Sequence, residues 1–229
     1  DSTPVHEKAS IRILRHVQGI AKHNGRLTVL QTPYNHLKAA ALNVGLDYIQ
    51  TLQVKPNVVI TFDDDVIITK TTISSMVKAL YAHPKLGTVC SKALVKNKDT
   101  NLLTRLQSLE YHSFNVTKMS DNGFLFGPLV MQGMLTAFRY EALKAVKRFE
   151  TDSLIEDYEM TVRIKKAGWH SGIAADAHAW TIVPEKWGSL WRQRIRWSYG
   201  GLLVIRNHWR HTHALFQDLA GHTLFISLF

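Results

Sequence analysis

The chain has 229 residues, 45% of them hydrophobic, 10% aromatic and 20% charged, enough to bury one substantial core and unlike a disordered or collagen-like composition. Its 28 Lys and Arg against 18 Asp and Glu give a formal charge of +10, which favours anionic partners such as nucleotide diphosphates, acidic lipid headgroups or nucleic acid without choosing among them. The single cysteine, Cys90, excludes an intramolecular disulfide and a cysteine-based zinc site; it reads as a small core residue, and a reducing, cytoplasmic compartment fits.

In chain order, apolar residues at helical spacing predict a helix over 4–23, stopped by Asn24-Gly25. A short strand over 27–30, a helix over 36–52 rich in Ala and Leu, and an apolar strand over 57–62 follow. Next come a helix over 71–83, a strand over 87–91 and a helix over 102–118. A strand over 134–138, helices over 140–147 and 156–166, and a strand over 179–183 complete the core. From Glu185 the chain turns helical, basic and rich in tryptophan. Alternating strands and helices predict an α/β fold with a mostly parallel sheet. The domain reading is a core over 1–184 and a basic, Trp-rich helical extension over 185–229.

The chain opens at Asp1 without a charged-then-apolar leader, read as no signal peptide and as a piece of a longer chain. No run of about 18 apolar residues is present, so no complete membrane span is expected. The closing stretch Leu224-Phe-Ile-Ser-Leu-Phe229 reads either as a packed terminal helix or as the entrance to a span.

Asp63, Asp64 and Asp65 follow the apolar Val58-Val-Ile-Thr-Phe62, and the carboxyl ends of strands in open α/β sheets are where ligands bind. On an extended segment Asp63 and Asp65 share one side and Asp64 takes the other. Paired hard carboxylates suit Mg2+ or Mn2+, whose shell substrate phosphates complete; the alternative is an acidic turn that caps the next helix.

Glu156 and Asp157 open a helix, and because successive helical residues differ by about 100° in direction only one of them faces a given cleft. A carboxylate near a helix N-terminus stays ionised and accepts a proton from an attacking hydroxyl; that role goes to Asp157. The alternative is an acidic first turn that serves the helix dipole alone.

In Trp187-Gly-Ser-Leu-Trp-Arg-Gln-Arg-Ile-Arg-Trp197, residues Gln193, Arg196 and Trp197 fall at i, i+3 and i+4 and share one helical face. A guanidinium grips phosphate oxygens in forked geometry, and an indole offers an apolar plane to a sugar ring. Trp187 and Trp191 read as core or membrane-interface anchors, with Arg192 and Arg194 facing anionic lipid. His178 is a candidate metal ligand from a neighbouring strand, and the His208, His211 and His213 group reads as a solvated basic helix rather than a metal site. Asn115-Val-Thr117 matches a glycosylation acceptor pattern, idle in a cytoplasmic site.

Together, Lys38-Ala-Ala-Ala-Leu-Asn-Val-Gly45, Phe62-Asp-Asp-Asp-Val66, Gln132-Gly-Met-Leu-Thr-Ala-Phe-Arg139, Glu156-Asp157 and Gln193-Arg-Ile-Arg-Trp197 resemble the processive branch of family 2 glycosyltransferases. This group contains cellulose, chitin, hyaluronan and poly-N-acetylglucosamine synthases, and the likeness covers most of the chain. It implies a GT-A fold and an inverting transfer of a hexose or N-acetylhexosamine from a UDP-sugar to a saccharide acceptor at the cytoplasmic face of a membrane. It also implies a metal held through Asp65 with Asp63 nearby, and Asp157 as the base. Lys38, Asp63, Asp64, Gln193 and Arg196 would border the donor, and Gly133, Glu156 and Trp197 the substrate. The segment from Trp187 to Gly201 is most similar to the poly-N-acetylglucosamine synthases.

Two departures stand out. Family members begin with an apolar strand and a further acidic motif that hold the base of the nucleotide, and here Asp1 reads as the last residue of that motif. The family's usual glycine before Lys38 is Leu37. The rival readings are a carboxylate-dependent glycoside hydrolase, with two acids across a glycosidic bond, and a non-catalytic basic module for membrane surfaces or nucleic acid. The chain carries no recognisable nucleic-acid module, so no nucleic-acid partner is expected.

Overall fold

The computed structural model describes residues 8–30, 32, 37–121 and 127–208. The chain divides into two compact units, Asp1–Lys55 and Pro56–Phe229.

In the first unit, α1 spans Lys8–His23 and α2 spans Leu37–Thr51. After α1, Asn24 stops the helix by accepting the Arg26 amide on its Oδ1 at 3.0 Å. The strand expected over 27–30 is absent: these residues carry no regular structure, and the Thr28 hydroxyl instead meets the Tyr48 hydroxyl of α2 at 3.0 Å. A four-residue apolar run makes a strand only where another strand offers it a ladder.

The second unit is built on five strands: β1 (Val58–Phe62), β2 (Ile67–Ile68), β3 (Leu86–Val95), β4 (Leu135–Arg139) and β5 (His170–Thr181). Their order across the sheet is β1-β4-β3-β5-β2. Helices α3 (Thr72–Tyr81), α4 (Leu102–Asp121), α5 (Tyr140–Val146), α6 (Glu156–Lys166) and α7 (Trp187–His208) complete the unit.

The expected α/β class is present, and the expected parallel majority is not. Only β3 and β5 run parallel; β1–β4, β3–β4 and β2–β5 are antiparallel. Alternation of strands and helices in the sequence carries no information on direction. Direction is set by where β4 enters: Leu135 pairs with Phe62, so β4 starts at the end of the sheet where β1 finishes and runs back along it.

The main core joins the sheet to α3 and α4 through Met76, Leu80, Val89, Ala93, Tyr111, Leu135 and Ala177. Asn115 is buried with it, and its side-chain amide bridges the Ala93 amide (3.2 Å) and carbonyl (2.7 Å). That satisfies a backbone pair next to an irregularity in β3 and removes Asn115 from any glycosylation role. Cys90 packs with Met131 and Ile173, and burial pushes its thiol pKa up, as befits a core residue.

Candidate active site

The carboxyl end of β1 turns at once. The Asp63 amide donates to the Met134 carbonyl at 2.9 Å, and the Val66 amide donates back to the Asp63 carbonyl at 3.3 Å. Asp63 to Val66 is therefore a turn rather than an extended segment, and the pleat alternation expected to pair Asp63 with Asp65 does not apply there. Asp63 is half-buried, and Asp64 and Asp65 are exposed. The Asp65 carboxylate accepts the Thr181 hydroxyl through Oδ2 at 3.1 Å, which ties the turn to the end of β5. Sequence reading missed Thr181, because only the β2–β5 pairing brings it there.

Asp157 lies in the first turn of α6. Its Oδ2 accepts the Gly133 amide at 2.7 Å and its Oδ1 accepts the Tyr158 amide at 2.8 Å. Two backbone N–H groups at the helix N-terminus thus fix the orientation of the carboxylate. A Cβ on Gly133 would come 2.7 Å from Oδ2 and 3.0 Å from the Asp157 Cβ, so this contact requires glycine. Because Gly133 precedes Met134, two adjacent residues connect the Asp157 carboxylate to the Asp63 amide. Glu156, one position earlier on α6, is half-buried.

A buried lysine lies within electrostatic range of Asp157. Lys118 of α4 is 8% exposed, with Nζ 5.7 Å from the centre of the Phe114 ring. Burial lowers its pKa, against the pull of Cys90, Asp157 and Asp121.

Helix α7 enters beside these groups. Glu110 of α4 pairs with Arg194, whose guanidinium lies 4.6 Å over the Trp197 ring. Arg194, expected to face lipid, is thus turned inward. Tyr111, next to Glu110, has its phenol pushed up to about 12, chiefly by burial, with Arg194 opposing and Glu110 and Asp65 adding to the rise. Nothing in the sequence singled out Glu110 or Tyr111, which fall in a mixed segment read only as helical.

Trp197 packs against the cluster of Leu129, Ile155, Tyr158, Val162 and Val204, so it lies on the residues that flank Asp157. Gln193 is half-buried and its Oε1 is shielded from solvent without a hydrogen-bond partner; Gln132, just before Gly133, carries a second such oxygen. Arg196 is exposed. Lys38 is half-buried on α2 and belongs to the Asp1–Lys55 unit. Among the described residues no group of three or more His, Cys, Asp or Glu is placed to hold a metal, so His178 joins no such set. His208 is bonded to Glu159 and Lys166 instead of being solvated; His211 and His213 lie outside the described residues.

The fold is that of known GT-A glycosyltransferases. The mannosyltransferase PcManGT from Pyrobaculum calidifontis, solved in complex with GDP-Man and Mn2+, superposes with a TM-score of 0.66 over 91% of this chain and 57% of that chain, at 21% identity. In sequence, the poly-beta-1,6-N-acetyl-D-glucosamine synthase of Staphylococcus epidermidis is 30% identical over 191 residues, which is 82% of this chain and 44% of that protein. The enzyme of the same description from Staphylococcus aureus (strain COL) is 29% identical over 185 residues, 80% of this chain and 43% of that protein. The chain therefore spans less than half the length of the curated relatives it matches. The model of the glycosyl transferase family group 2 matches residues 58–229, which hold every site residue above except Lys38, and the chain belongs to that family.

Proposed function

We propose that this chain carries the catalytic domain of an inverting glycosyltransferase that moves a hexose or N-acetylhexosamine from a UDP-sugar to a saccharide acceptor. The observation that carries the reading is the direct backbone connection between two carboxylate sites: Gly133 holds Asp157, and its neighbour Met134 holds the turn that bears Asp63 and Asp65. The likeness to poly-beta-1,6-N-acetyl-D-glucosamine synthases supports N-acetylglucosamine as the sugar and a growing polysaccharide as the acceptor.

The acidic turn suits a hard divalent cation. Asp63 and Asp65 would hold Mn2+ or Mg2+, with Asp64 beside the donor; a set of two carboxylates fits a metal that keeps its remaining positions for waters and phosphate oxygens. When bound, such a cation neutralises charge on a diphosphate. The mannosyltransferase that shares this fold, solved with GDP-Man and Mn2+, supports the metal.

Asp157 accepts the proton of the acceptor hydroxyl as its oxygen bonds to the anomeric carbon. The bond from that carbon to the diphosphate breaks in the same displacement, and inversion results. Arg196 and Gln193 bind oxygens of the departing diphosphate, while Glu156, Gly133 and Trp197 border the sugars. Release of UDP from a panel of UDP-sugars with Mn2+ or Mg2+, together with product length, tests the reading; free sugar released from an oligosaccharide without nucleotide would support a glycoside hydrolase instead.

The membrane surface is the proposed partner of the outer face of α7. Trp187 (67% exposed), Trp191, Ile195, Tyr199 and Leu202 form one exposed apolar stripe at the spacing of a single helical face, and Arg192 and Arg206 are exposed beside it. No helix among the described residues is long and apolar enough to cross a membrane. A helix of this pattern lies in the headgroup region with its cations toward anionic lipid. Flotation with anionic vesicles tests this: Trp187→Ser with Trp191→Ser should leave the protein at the bottom of the gradient.

A further inference from the structure

Helices α6 and α7 lie side by side, in register and in the same direction. Near the start of α6, Gly200 is so close to Ile155 that a Cβ would come 2.5 Å from its Cγ1. One to two turns on, Tyr158 and Val162 share a cluster with Val204, on which Trp197 packs. His208 meets both Glu159 in the first turn of α6 and Lys166 in its last. Residues 155, 158, 159, 162 and 166 form one stripe of α6, and residues 197, 200, 204 and 208 form the facing stripe of α7.

The last of these contacts is polar. Glu159 is buried and accepts the Arg163 guanidinium at 2.7 to 2.9 Å. Arg163 also donates to the carbonyls of Val146 and Arg148 at 2.6 Å each. Burial alone would raise the Glu159 pKa, but hydrogen bonds from His208 and Arg163 outweigh it and hold the carboxyl below its ordinary range. His208 places Nε2 3.3 Å from Glu159 Oε1 and Nδ1 2.9 Å from Lys166 Nζ. An ammonium only donates, so Nδ1 accepts and the ring proton sits on Nε2, directed at Glu159.

Apolar packing is non-directional, and a glycine contact presents no side chain to fix rotation. On the shared stripe the Gly200 and Val204 contacts are apolar and the His208 pair is the directional one, while α7 is also held to α4 by the Arg194–Glu110 pair. Trp197 lies eleven residues before His208, about 16 Å along the helix axis, so a small swing at one end is felt at the other.

We infer that His208 is a positioning residue for glycosyl transfer, locking the end of α7 to Glu159 and Lys166 so that Gln193, Arg196 and Trp197 keep their pose in the site proposed with Asp157. The inference rests on the reading of Asp157 as the base.

The test is steady-state kinetics of nucleotide release, with amide hydrogen exchange across α7, on the full chain carrying His208→Gln or His208→Leu. Glutamine retains one donor and one acceptor; leucine retains bulk and neither. His208→Leu should lower kcat by about tenfold or more, with a smaller change in KM for the donor, and His208→Gln should restore it to within about threefold of wild type. Exchange over residues 200–208 should quicken in the leucine variant alone. A leucine variant with wild-type kcat, or a glutamine variant as slow as leucine, overturns the inference. Should the wild-type chain release no nucleotide, the transferase reading fails by itself; exchange then still judges the anchor, and unaltered exchange in His208→Leu overturns it.

Discussion

The Gly133 amide donates to Asp157 Oδ2 at 2.7 Å, and the space a Cβ on Gly133 would need is already filled by that carboxylate. The Asp157 carboxylate is thus held by backbone, in a place that admits no side chain. Gly133→Ala should shift Asp157 by a few tenths of an ångström to an ångström and cut kcat by about 100-fold. Circular dichroism and the thermal midpoint should show the fold retained. Wild-type kcat in Gly133→Ala would remove this contact from the account.

Thr181 supplies the other support, its hydroxyl donating to Asp65 Oδ2 at 3.1 Å. Outer groups that orient metal ligands are worth about 10–100-fold in metal affinity. Thr181→Val keeps the shape of the side chain and deletes the donor. It should weaken activation by Mn2+ by about tenfold, measured as the metal concentration for half-maximal nucleotide release, with kcat at saturating metal little changed.

Lys118 bears on stability through its charge. Its folded-state pKa is lowered by burial, so the folded protein binds this proton less readily than the unfolded chain does. The charged form therefore costs stability at neutral pH, and the cost is relieved as pH rises from the lowered folded value toward the ordinary lysine value of about 10.4. Lys118→Met should be as stable as wild type or more so, by up to about 4 kcal/mol at pH 7. The gap between the two proteins should narrow on the alkaline side. Denaturant unfolding at a series of pH values checks both.

Leu37 occupies the position where the resembled family carries glycine, and its φ is +64°. A left-handed backbone costs an L residue about 1 kcal/mol or more, and Leu37, 74% exposed, gains little from its side chain. Leu37→Gly should therefore stabilise the Asp1–Lys55 unit by about 1 kcal/mol, read as a shift in denaturant midpoint. A loss of stability would mean that the leucine side chain contributes packing that outweighs the strain.

Much of this was legible in the sequence because helices announce themselves locally. The observed bounds of α2, α5 and α6 lie within a residue of those read from apolar spacing and stop signals. The strands fared worse, and β5 shows why. Its first nine residues, His170-Ser-Gly-Ile-Ala-Ala-Asp-Ala-His178, are small and polar for a strand, and they are extended because Leu86 to Lys92 of β3 pairs with them across the sheet. Only its last three residues, Ala179-Trp-Thr181, fell within the strand read over 179–183. Strand β2 has two residues, too few for any periodicity.

The site divided along the same line. Asp63, Asp65, Asp157 and the α7 face stood out by residue type and spacing. Thr181, Glu110, Tyr111, Lys118 and the Glu159–His208 pair did not, because each takes its part from a contact between elements distant in sequence. His208 also shows a reading that fails by exposure: among neighbouring histidines it looked solvated, yet it is half-buried and bonded at both ring nitrogens.

The most direct measurement is nucleotide release from a UDP-sugar in the presence of Mn2+ and a saccharide acceptor, compared between wild type and Asp157→Asn, with donor affinity measured in parallel by calorimetry. Wild type should turn over, and Asp157→Asn should bind the donor as tightly yet transfer at a rate lower by about 100-fold or more. Turnover by Asp157→Asn at the wild-type rate, or a wild-type chain that binds no nucleotide-sugar, would contradict the account.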